Sequence, residues 1–186
     1  MKIYTRKGDD GTTGLFFGGR VPKDDTGPAA YGDVDEAVAA IGMARAEVPA
    51  GDPLNDELLR LQRNLFVVAA ELATAPANHG KLTDGESRVT SDMVLQLEAA
   101  IDEVVRKSGM PTEFLVPGSN RLGACLDLAR ATVRRAERMA VTHARSGGFE
   151  NSRVIPFLNR LADYLFMLAR AAEESWTPSK TEENPK

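Results

Sequence analysis

Apolar residues recur every three or four positions in five separate stretches of the chain, and this spacing limits the possible folds more than any other feature. An α-helix has about 3.6 residues per turn, so this spacing gathers apolar side chains on one helical face. The stripes are Val34, Ala37, Val38, Ile41, Ala44 and Val48; Leu54, Leu58, Leu61, Leu65, Val68 and Leu72; Val94, Leu97, Ile101 and Val104; Leu122, Leu126, Ala129, Val133, Ala136 and Ala140; and Leu158, Leu161, Leu165, Leu168 and Ala172. Strand-like alternation is absent over any useful length. We therefore predict an all-α fold, a five-helix antiparallel bundle.

Cap and turn residues mark the ends of these helices. Asp52 and Pro53 are typical of a helix N-cap and first turn, and Pro76 is expected to end the second helix. Ser119 or Asn120 is expected to cap the fourth helix. The chain length of 186 residues fits one domain. We assign that domain to residues 1–176 and a flexible polar tail to residues 177–186.

Composition excludes several classes of protein. A hydrophobic share of 42% and a charged share of 27% are typical of folded globular chains, and a net charge of −4 argues against a nucleic-acid binder. No stretch reaches the roughly 20 apolar residues of a membrane span, and no signal peptide is visible, so we expect a cytoplasmic protein. The single cysteine, Cys125, and the two histidines, His79 and His143, exclude a disulfide framework and a Cys- or His-based metal centre.

These three residues receive no catalytic role. Cys125 lies on or beside an apolar stripe and is interpreted as a small core thiol. His143, near the end of the fourth helix, is interpreted as a surface or dipole-compensating residue. The chain also lacks the Glu-x-x-His pairs of di-iron helical bundles.

The N-terminal segment is rich in glycine and threonine and could bind an anion. In the run from Lys7 to Gly14, consecutive backbone N–H groups can converge on a phosphate, and hydroxyl groups add donors. Arg6, Arg20 and Lys23 add positive charge. The spacing of a Walker A loop is missing.

Polar residues flank the apolar stripes on three of the predicted helices. At 100° per residue from Leu122, the side chains of Arg130, Arg134 and Glu137 fall roughly 60–120° away, beside the apolar face. Asn159 and Asp163 on the fifth helix, and Asp35 and Gly42 on the first, occupy similar flanks. Two interpretations remain open at this point. The charged residues form solvated pairs such as Arg134 with Glu137, or they line a cleft that clamps a triphosphate together with the N-terminal segment.

Four blocks of sequence resemble the PduO-type ATP:cob(I)alamin (corrinoid) adenosyltransferases. They appear in that family's order and are Tyr4-Thr5-Arg6-Lys7-Gly8-Asp9-Asp10-Gly11-Thr12-Thr13 with Arg20-Val21-Pro22-Lys23-Asp24-Asp25; Tyr31-Gly32-Asp33-Val34-Asp35-Glu36; Phe114-Leu115-Val116-Pro117-Gly118 with Ala129-Arg130-Ala131-Thr132-Val133-Arg134-Arg135-Ala136-Glu137-Arg138; and Phe157-Leu158-Asn159-Arg160-Leu161-Ala162-Asp163-Tyr164-Leu165-Phe166. Together they span the chain from Lys2 to about Glu174.

The resemblance implies a ferritin-like bundle, a homotrimer with active sites between subunits, and an ATP-binding loop over residues 1–25. The residues it assigns to ATP and its Mg²⁺ are Thr5, Arg6, Gly8, Thr12, Thr13, Lys23, Arg130, Arg134, Glu137 and Asn159. It pairs Asp35 with Arg130, and it assigns Phe114 to the corrinoid, where an aromatic wall excludes the lower axial ligand of cobalt. No protein side chain is assigned to the metal ion itself.

The implied reaction transfers the 5′-deoxyadenosyl group of ATP to Co(I) of a reduced corrinoid and releases triphosphate. Implied partners are an electron-donor flavoprotein and a cobalamin-dependent acceptor enzyme. The chain departs from the family pattern at Phe17, at Gly27 within Thr26-Gly27-Pro28, at Val38 and at Ser119. These departures support the alternative of a non-catalytic module that delivers adenosylcobalamin or senses a nucleotide.

Overall fold

Five α-helices make up most of the part of the chain that the structure describes. The computed structural model of the protein describes residues 3–180, so the ends of the predicted domain and tail, residues 1–2 and 181–186, lie outside the described chain. The helices are α1 (Thr26–Ala46), α2 (Pro53–Leu72), α3 (Ser91–Ser108), α4 (Arg121–Arg145) and α5 (Val154–Ala171), with a 3-10 helix at Pro76–Lys81. The prediction of a mostly helical protein is confirmed.

A small antiparallel hairpin corrects the all-α prediction. Strand β1 (Thr12–Gly14) pairs with β2 (Arg20–Pro22), with Thr13 opposite Val21. Each strand has three residues, which is too short for an alternating pattern to be recognised in a glycine-rich sequence. The backbone N–H of Phe16 donates to the carbonyl of Ala73 over 2.9 Å, so the hairpin turn is attached to the end of α2.

Side-chain caps place most of the helix starts. As predicted, Asp52 accepts a hydrogen bond from the N–H of Leu54 over 2.8 Å, and Asn120 caps α4 by accepting from the N–H of Gly123 over 2.7 Å. Helix α1 begins at Thr26, earlier than its apolar stripe indicated, because Asp25 caps it. Helix α2 ends at Leu72, and Pro76 begins the 3-10 helix instead of ending α2.

The helices pack so that α4 lies between α1 and α5. The main helix contacts join α2 to α1, α1 to α4, α4 to α5 and α5 to α3. Most of the predicted stripe residues on α1, α2, α4 and α5 are buried in one hydrophobic core. Helix α3 is the exception: Ile101 and Val104 are only partly buried, because its main contact is with α5 alone. Helices α1 and α5 therefore both pack against α4, on two sides of it.

Candidate active site

Arg20 holds the N-terminal segment in its folded shape. Its Nη2 donates to the carbonyl oxygen of Lys7 and to Oγ1 of Thr12, both over 2.5 Å. Thr12 in turn donates its N–H and its hydroxyl to Oδ1 of Asp10 over 2.9 and 2.8 Å. These bonds, the backbone one most, hold the pKa of Asp10 below its usual range. Arg20, which the sequence offered as a cation for a bound anion, is thus occupied by the loop itself.

Gly8, Thr12 and Lys23 come together in this segment. A Cβ at Gly8 would lie 3.1 Å from the carbonyl oxygen of Thr12 and 3.3 Å from Nζ of Lys23. The absence of a side chain at Gly8 therefore lets the Lys23 ammonium group approach the loop backbone. These three residues, all predicted to bind ATP, lie together beside the hairpin, and Lys23 gives this position a positive charge.

The other predicted residues of the segment are spread along it. Arg6 has a positive φ of 61°, and its guanidinium lies 5.7 Å from the ring centroid of Tyr4. Oγ1 of Thr5 accepts the N–H of Lys7 over 3.4 Å. Thr13 lies in β1 with its side chain near the hydroxyl of Tyr31 on α1, and burial raises the pKa of that hydroxyl. Thr13 therefore places the hairpin beside the first helix.

Helices α4 and α5 bring two further predicted residues into direct contact. Nδ2 of Asn159 donates to Oε1 of Glu137 over 3.1 Å, and Oδ1 of Asn159 accepts from Nη1 of Arg160 over 2.7 Å. Glu137 also lines a surface cavity of about 380 Å³ together with Arg134, whose side chain is exposed. The solvated pair between Arg134 and Glu137, one of the two interpretations from sequence, is not formed in the described chain.

Arg130 and Asp35 are not paired within the chain. The carboxylate next to Arg130 is that of Asp127, with Nε to Oδ1 at 3.3 Å. Asp35 is exposed on α1, and in residues 3–180 its side chain makes neither a hydrogen bond nor an ion pair. Arg135 of α4, and not Arg130, forms ion pairs with α1, to Asp33 and Glu36. The predicted pair of Asp35 and Arg130 stays a prediction for neighbouring copies of the chain.

Phe114 lies on the loop between α3 and α4 and is 87% exposed. It lines a cavity of about 410 Å³ with Phe166, Pro111 and the segment at Ser179. The loop is held by the start of the predicted tail: the N–H of Val116 donates to Thr177 and the N–H of Ser179 donates to Phe114, both over 2.8 Å. Phe114 is therefore a surface aromatic on a tethered loop, separate from the hydrophobic core.

Sequence reasoning missed a buried ionic cluster beneath this region. Arg170 is 2% exposed and its Nη2 lies 2.5 Å from Oδ2 of Asp127, which is 5% exposed. Nε of Arg170 lies 3.0 Å from Oε2 of Glu173, and its guanidinium lies 5.1 Å from the ring centroid of Phe166. The available signal in the sequence was Arg170 itself, a charged residue in the otherwise apolar last turn of α5.

His143 is more than the surface residue that its position indicated. Its Nδ1 lies 2.9 Å from Oγ1 of Thr26, at the start of α1, and burial lowers the pKa of the imidazole. A Cβ at Gly27 would lie 3.2 Å from Cε1 of His143. The departure at Gly27 therefore makes room for this ring. The Nε2–H of His79 donates to the carbonyl oxygen of Thr74 over 2.9 Å.

Two negative findings hold for residues 3–180. No three side chains among His, Cys, Asp and Glu come close enough together to hold a metal ion. No helix of that part of the chain is both long and apolar enough to cross a membrane.

Comparison with known proteins identifies the family. The family model described as cobalamin adenosyltransferase matches residues 3–172. The chain belongs to this family. Among curated relatives it is similar to the corrinoid adenosyltransferase of Citrobacter freundii, with 39% identity over 92% of this chain and 95% of that protein. It is also similar to the corrinoid adenosyltransferase of Mycobacterium tuberculosis, with 40% identity over 95% of this chain and 93% of that protein.

Solved structures place this cobalamin adenosyltransferase family member among PduO-type proteins. One is a variant of the PduO-type ATP:corrinoid adenosyltransferase from Lactobacillus reuteri complexed with cobalamin and ATP. Its TM-score is 0.86 at 31% identity, with 97% of this chain and all of that chain covered. A second variant of the same protein, complexed with ATP, matches with a TM-score of 0.84 at 32% identity over 96% of this chain.

Proposed function

We propose that this protein transfers the 5′-deoxyadenosyl group of ATP to the cobalt of a reduced corrinoid. Co(I) supplies the electron pair of the new cobalt–carbon bond, the bond from the 5′-carbon to oxygen breaks, and that oxygen leaves with its electrons as triphosphate. One observation carries the proposal: the family match spans residues 3–172, which includes every residue assigned to the site from sequence. The complex of a related structure with cobalamin and ATP supports the same pair of substrates.

The N-terminal segment would bind the triphosphate. Lys23 beside Gly8 supplies positive charge at the loop backbone, and nearby N–H groups and hydroxyls supply donors. The remaining proposed ligands of this segment are Thr5, Arg6, Thr12 and Thr13. Magnesium would enter as the metal of MgATP, held mainly by the phosphates. Cations and donors that stabilise the charge developing on the leaving triphosphate lower the barrier.

The helices would bind the rest of ATP. Arg130 and Arg134 lie one turn apart on α4, and the bonded pair of Glu137 and Asn159 joins α4 to α5 beside Arg134. Fixing the 5′-carbon in line with cobalt lets positioning supply much of the rate acceleration. The reaction needs no protein nucleophile, since cobalt supplies the attacking electron pair.

Phe114 would contact the corrinoid. Its exposed ring at the edge of a cavity of about 410 Å³ offers an apolar wall to a flat substrate. Such a wall would displace the lower axial ligand and leave a four-coordinate Co(II) that accepts an electron more readily. An electron-donor flavoprotein would supply that electron, and a cobalamin-dependent enzyme would accept the product.

The assembly would be a cytoplasmic homotrimer of antiparallel five-helix, ferritin-like bundles with active sites between subunits. The support is that Asp35 is exposed without a partner in residues 3–180, and that Arg134 is exposed on the neighbouring helix. In the trimer, Asp35 of one chain would reach Arg130 of the next. Residues 1–25 would form the ATP loop of a single domain over 1–176, followed by the tail.

Absorbance spectroscopy tests the proposal. Purified protein mixed with ATP, Mg²⁺ and chemically reduced cobalamin is expected to give the spectral change of cobalt–carbon bond formation. Binding of both substrates without that change would instead identify a delivery or sensing module. Omitting ATP is the control, because Co(I) then has no adenosyl group to attack.

A further inference from the structure

Arg130 has one carboxylate neighbour in the described chain, and that neighbour lies on its own helix. Asp127 precedes it by three residues, and Nε of Arg130 lies 3.3 Å from Oδ1 of Asp127. The Arg130 side chain is 32% exposed, so it faces solvent on the flank of α4. An arginine side chain loses rotamer entropy when it is held in one orientation. Whatever restrains Arg130 before ATP arrives therefore lowers the cost of binding ATP.

Asp127 is a fixed group. It is 5% exposed, and its second oxygen, Oδ2, lies 2.5 Å from Nη2 of Arg170. Arg170 is itself 2% exposed, and its Nε lies 3.0 Å from Oε2 of Glu173. The aspartate carboxylate is thus held from below by a buried guanidinium, while its other oxygen faces Arg130.

This arrangement differs from an ordinary surface pair. Exposed pairs three residues apart on a helix stabilise it only weakly, because both side chains move freely. Here one partner is immobile, so the contact restricts the other. Arg170 already has a second carboxylate in Glu173, so the burial of Arg170 alone does not account for the oxygen directed at Arg130.

We propose that Asp127 is a positioning residue that orients the Arg130 guanidinium toward ATP, with Arg170 holding Asp127 in place. The inference rests on the proposed function, in which Arg130 binds ATP. Its competitor is a purely structural role, in which Asp127 is only a buried counter-ion of Arg170.

Glu173 provides a matched control for this competitor. Its side chain is as buried as that of Asp127 and it contacts the same arginine, but it makes no contact with Arg130. Asp127→Asn and Glu173→Gln each remove one negative charge from the same cluster. A structural role predicts that the two variants change the ATP dissociation constant equally. A positioning role predicts that only Asp127→Asn weakens ATP binding.

The experiment measures the ATP dissociation constant by calorimetry in the presence of Mg²⁺, together with kcat and KM for adenosyl transfer. Asp127→Asn is expected to weaken ATP binding about tenfold, the size of one lost hydrogen bond to a charged group, while Glu173→Gln stays within about twofold of the wild type. In an Arg130→Gln background, Asp127→Asn is expected to cause no further weakening.

Three results would overturn the proposal: equal losses in the two variants, a full loss from Asp127→Asn in the Arg130→Gln background, or an unchanged ATP affinity in folded Asp127→Asn. If Asp127→Asn does not fold, Asp127→Glu decides, since it keeps the charge beside Arg170 but moves it; it is expected to weaken ATP binding, and unchanged affinity contradicts the proposal. A wild-type protein that binds ATP but transfers no adenosyl group would refute the proposed function alone. The ATP dissociation constants of the variants would still test the role of Asp127.

Discussion

Phe114 is the one side chain assigned to the corrinoid and not to ATP. The cavity that it lines with Phe166 contains none of the residues assigned to ATP. Phe114→Ala is therefore expected to lower kcat for adenosyl transfer at least tenfold, about 1.4 kcal/mol in the barrier, while the ATP dissociation constant changes little. Steady-state kinetics with reduced cobalamin and calorimetry with ATP measure the two quantities.

Phe66→Ala is a matched control for this variant. Phe66 lies on α2 and is 59% exposed, so the change removes an exposed ring of the same size outside the assigned site. It is expected to keep the wild-type turnover. Equal turnover in Phe114→Ala and the wild type would remove Phe114 from the corrinoid site.

His143 is expected to make stability depend on pH. Burial lowers the pKa of its imidazole below the ordinary value of 6.5. The charge of Asp25 raises this pKa and His79 lowers it, both by less than burial does. A group with a lowered pKa in the folded state contributes stability that is present above pH 6.5 and is lost as pH falls toward the folded pKa. The midpoint temperature of thermal unfolding is therefore expected to decrease when the pH is lowered from 7.5 to 5.5.

His143→Gln isolates this contribution. Glutamine can keep a hydrogen bond to Oγ1 of Thr26 but does not titrate. The variant is expected to lose less thermal stability than the wild type over the same pH range. An identical pH dependence in both proteins would show that protonation of His143 does not couple to folding.

At the scale of elements, the start of α4 shows why some glycines are required. A Cβ at Gly123 would lie 2.8 Å from Oε1 of Glu173, whose side chain is buried and paired with Arg170. Gly123→Ala is expected to destabilise the protein by about 1–2 kcal/mol, because Glu173 has little room to move. Chemical denaturation measures the change in the free energy of unfolding.

Gly32→Ala is the opposite case on α1. Nothing lies within 4 Å of a Cβ at Gly32, so the change is expected to stabilise the protein by about 0.5–1 kcal/mol through helix propensity. If Gly123→Ala stabilised the protein as Gly32→Ala is expected to, the close approach of Glu173 to Gly123 would be contradicted.

The elements differ in how well sequence alone predicts them. The stripes of α2, α4 and α5 are long and strictly periodic, so their existence and buried faces were predictable. The hairpin was not, because its strands have three residues each and its turn contains Phe17 at a φ of 60°, an uncommon conformation for a bulky residue. The start of α1 is not predictable from the sequence, because Gly27 and Pro28 in its first turn are typical of a loop.

At the scale of the whole molecule, periodicity predicted where the polar flanks lie but not which groups touch. Glu137 and Asn159 fell on flanks computed from sequence and do meet across α4 and α5. The contact of Asp127 with Arg170 joins residues 43 positions apart, and no local pattern reports such a pairing. The resemblance to a known family supplied the roles of the site residues, which helical geometry alone does not specify.

The overall charge also takes on a clearer meaning at this scale. The chain carries a net charge of −4, yet Arg130, Arg134, Arg138 and Arg145 lie along one helix, α4. A modest negative total therefore coexists with a local concentration of arginine beside the cavity that contains Arg134. Such a distribution suits a protein that binds one polyanion at one place.

The most direct test of the central claim is to identify both products of one reaction. Protein, MgATP and chemically reduced cobalamin would be incubated in the dark, and the mixture separated by chromatography. Adenosylcobalamin and inorganic triphosphate are expected in equal amounts, because each transfer breaks the bond between the 5′-carbon and its oxygen. Recovery of unchanged ATP and unmodified cobalamin from protein that binds both would contradict the proposed adenosyl transfer.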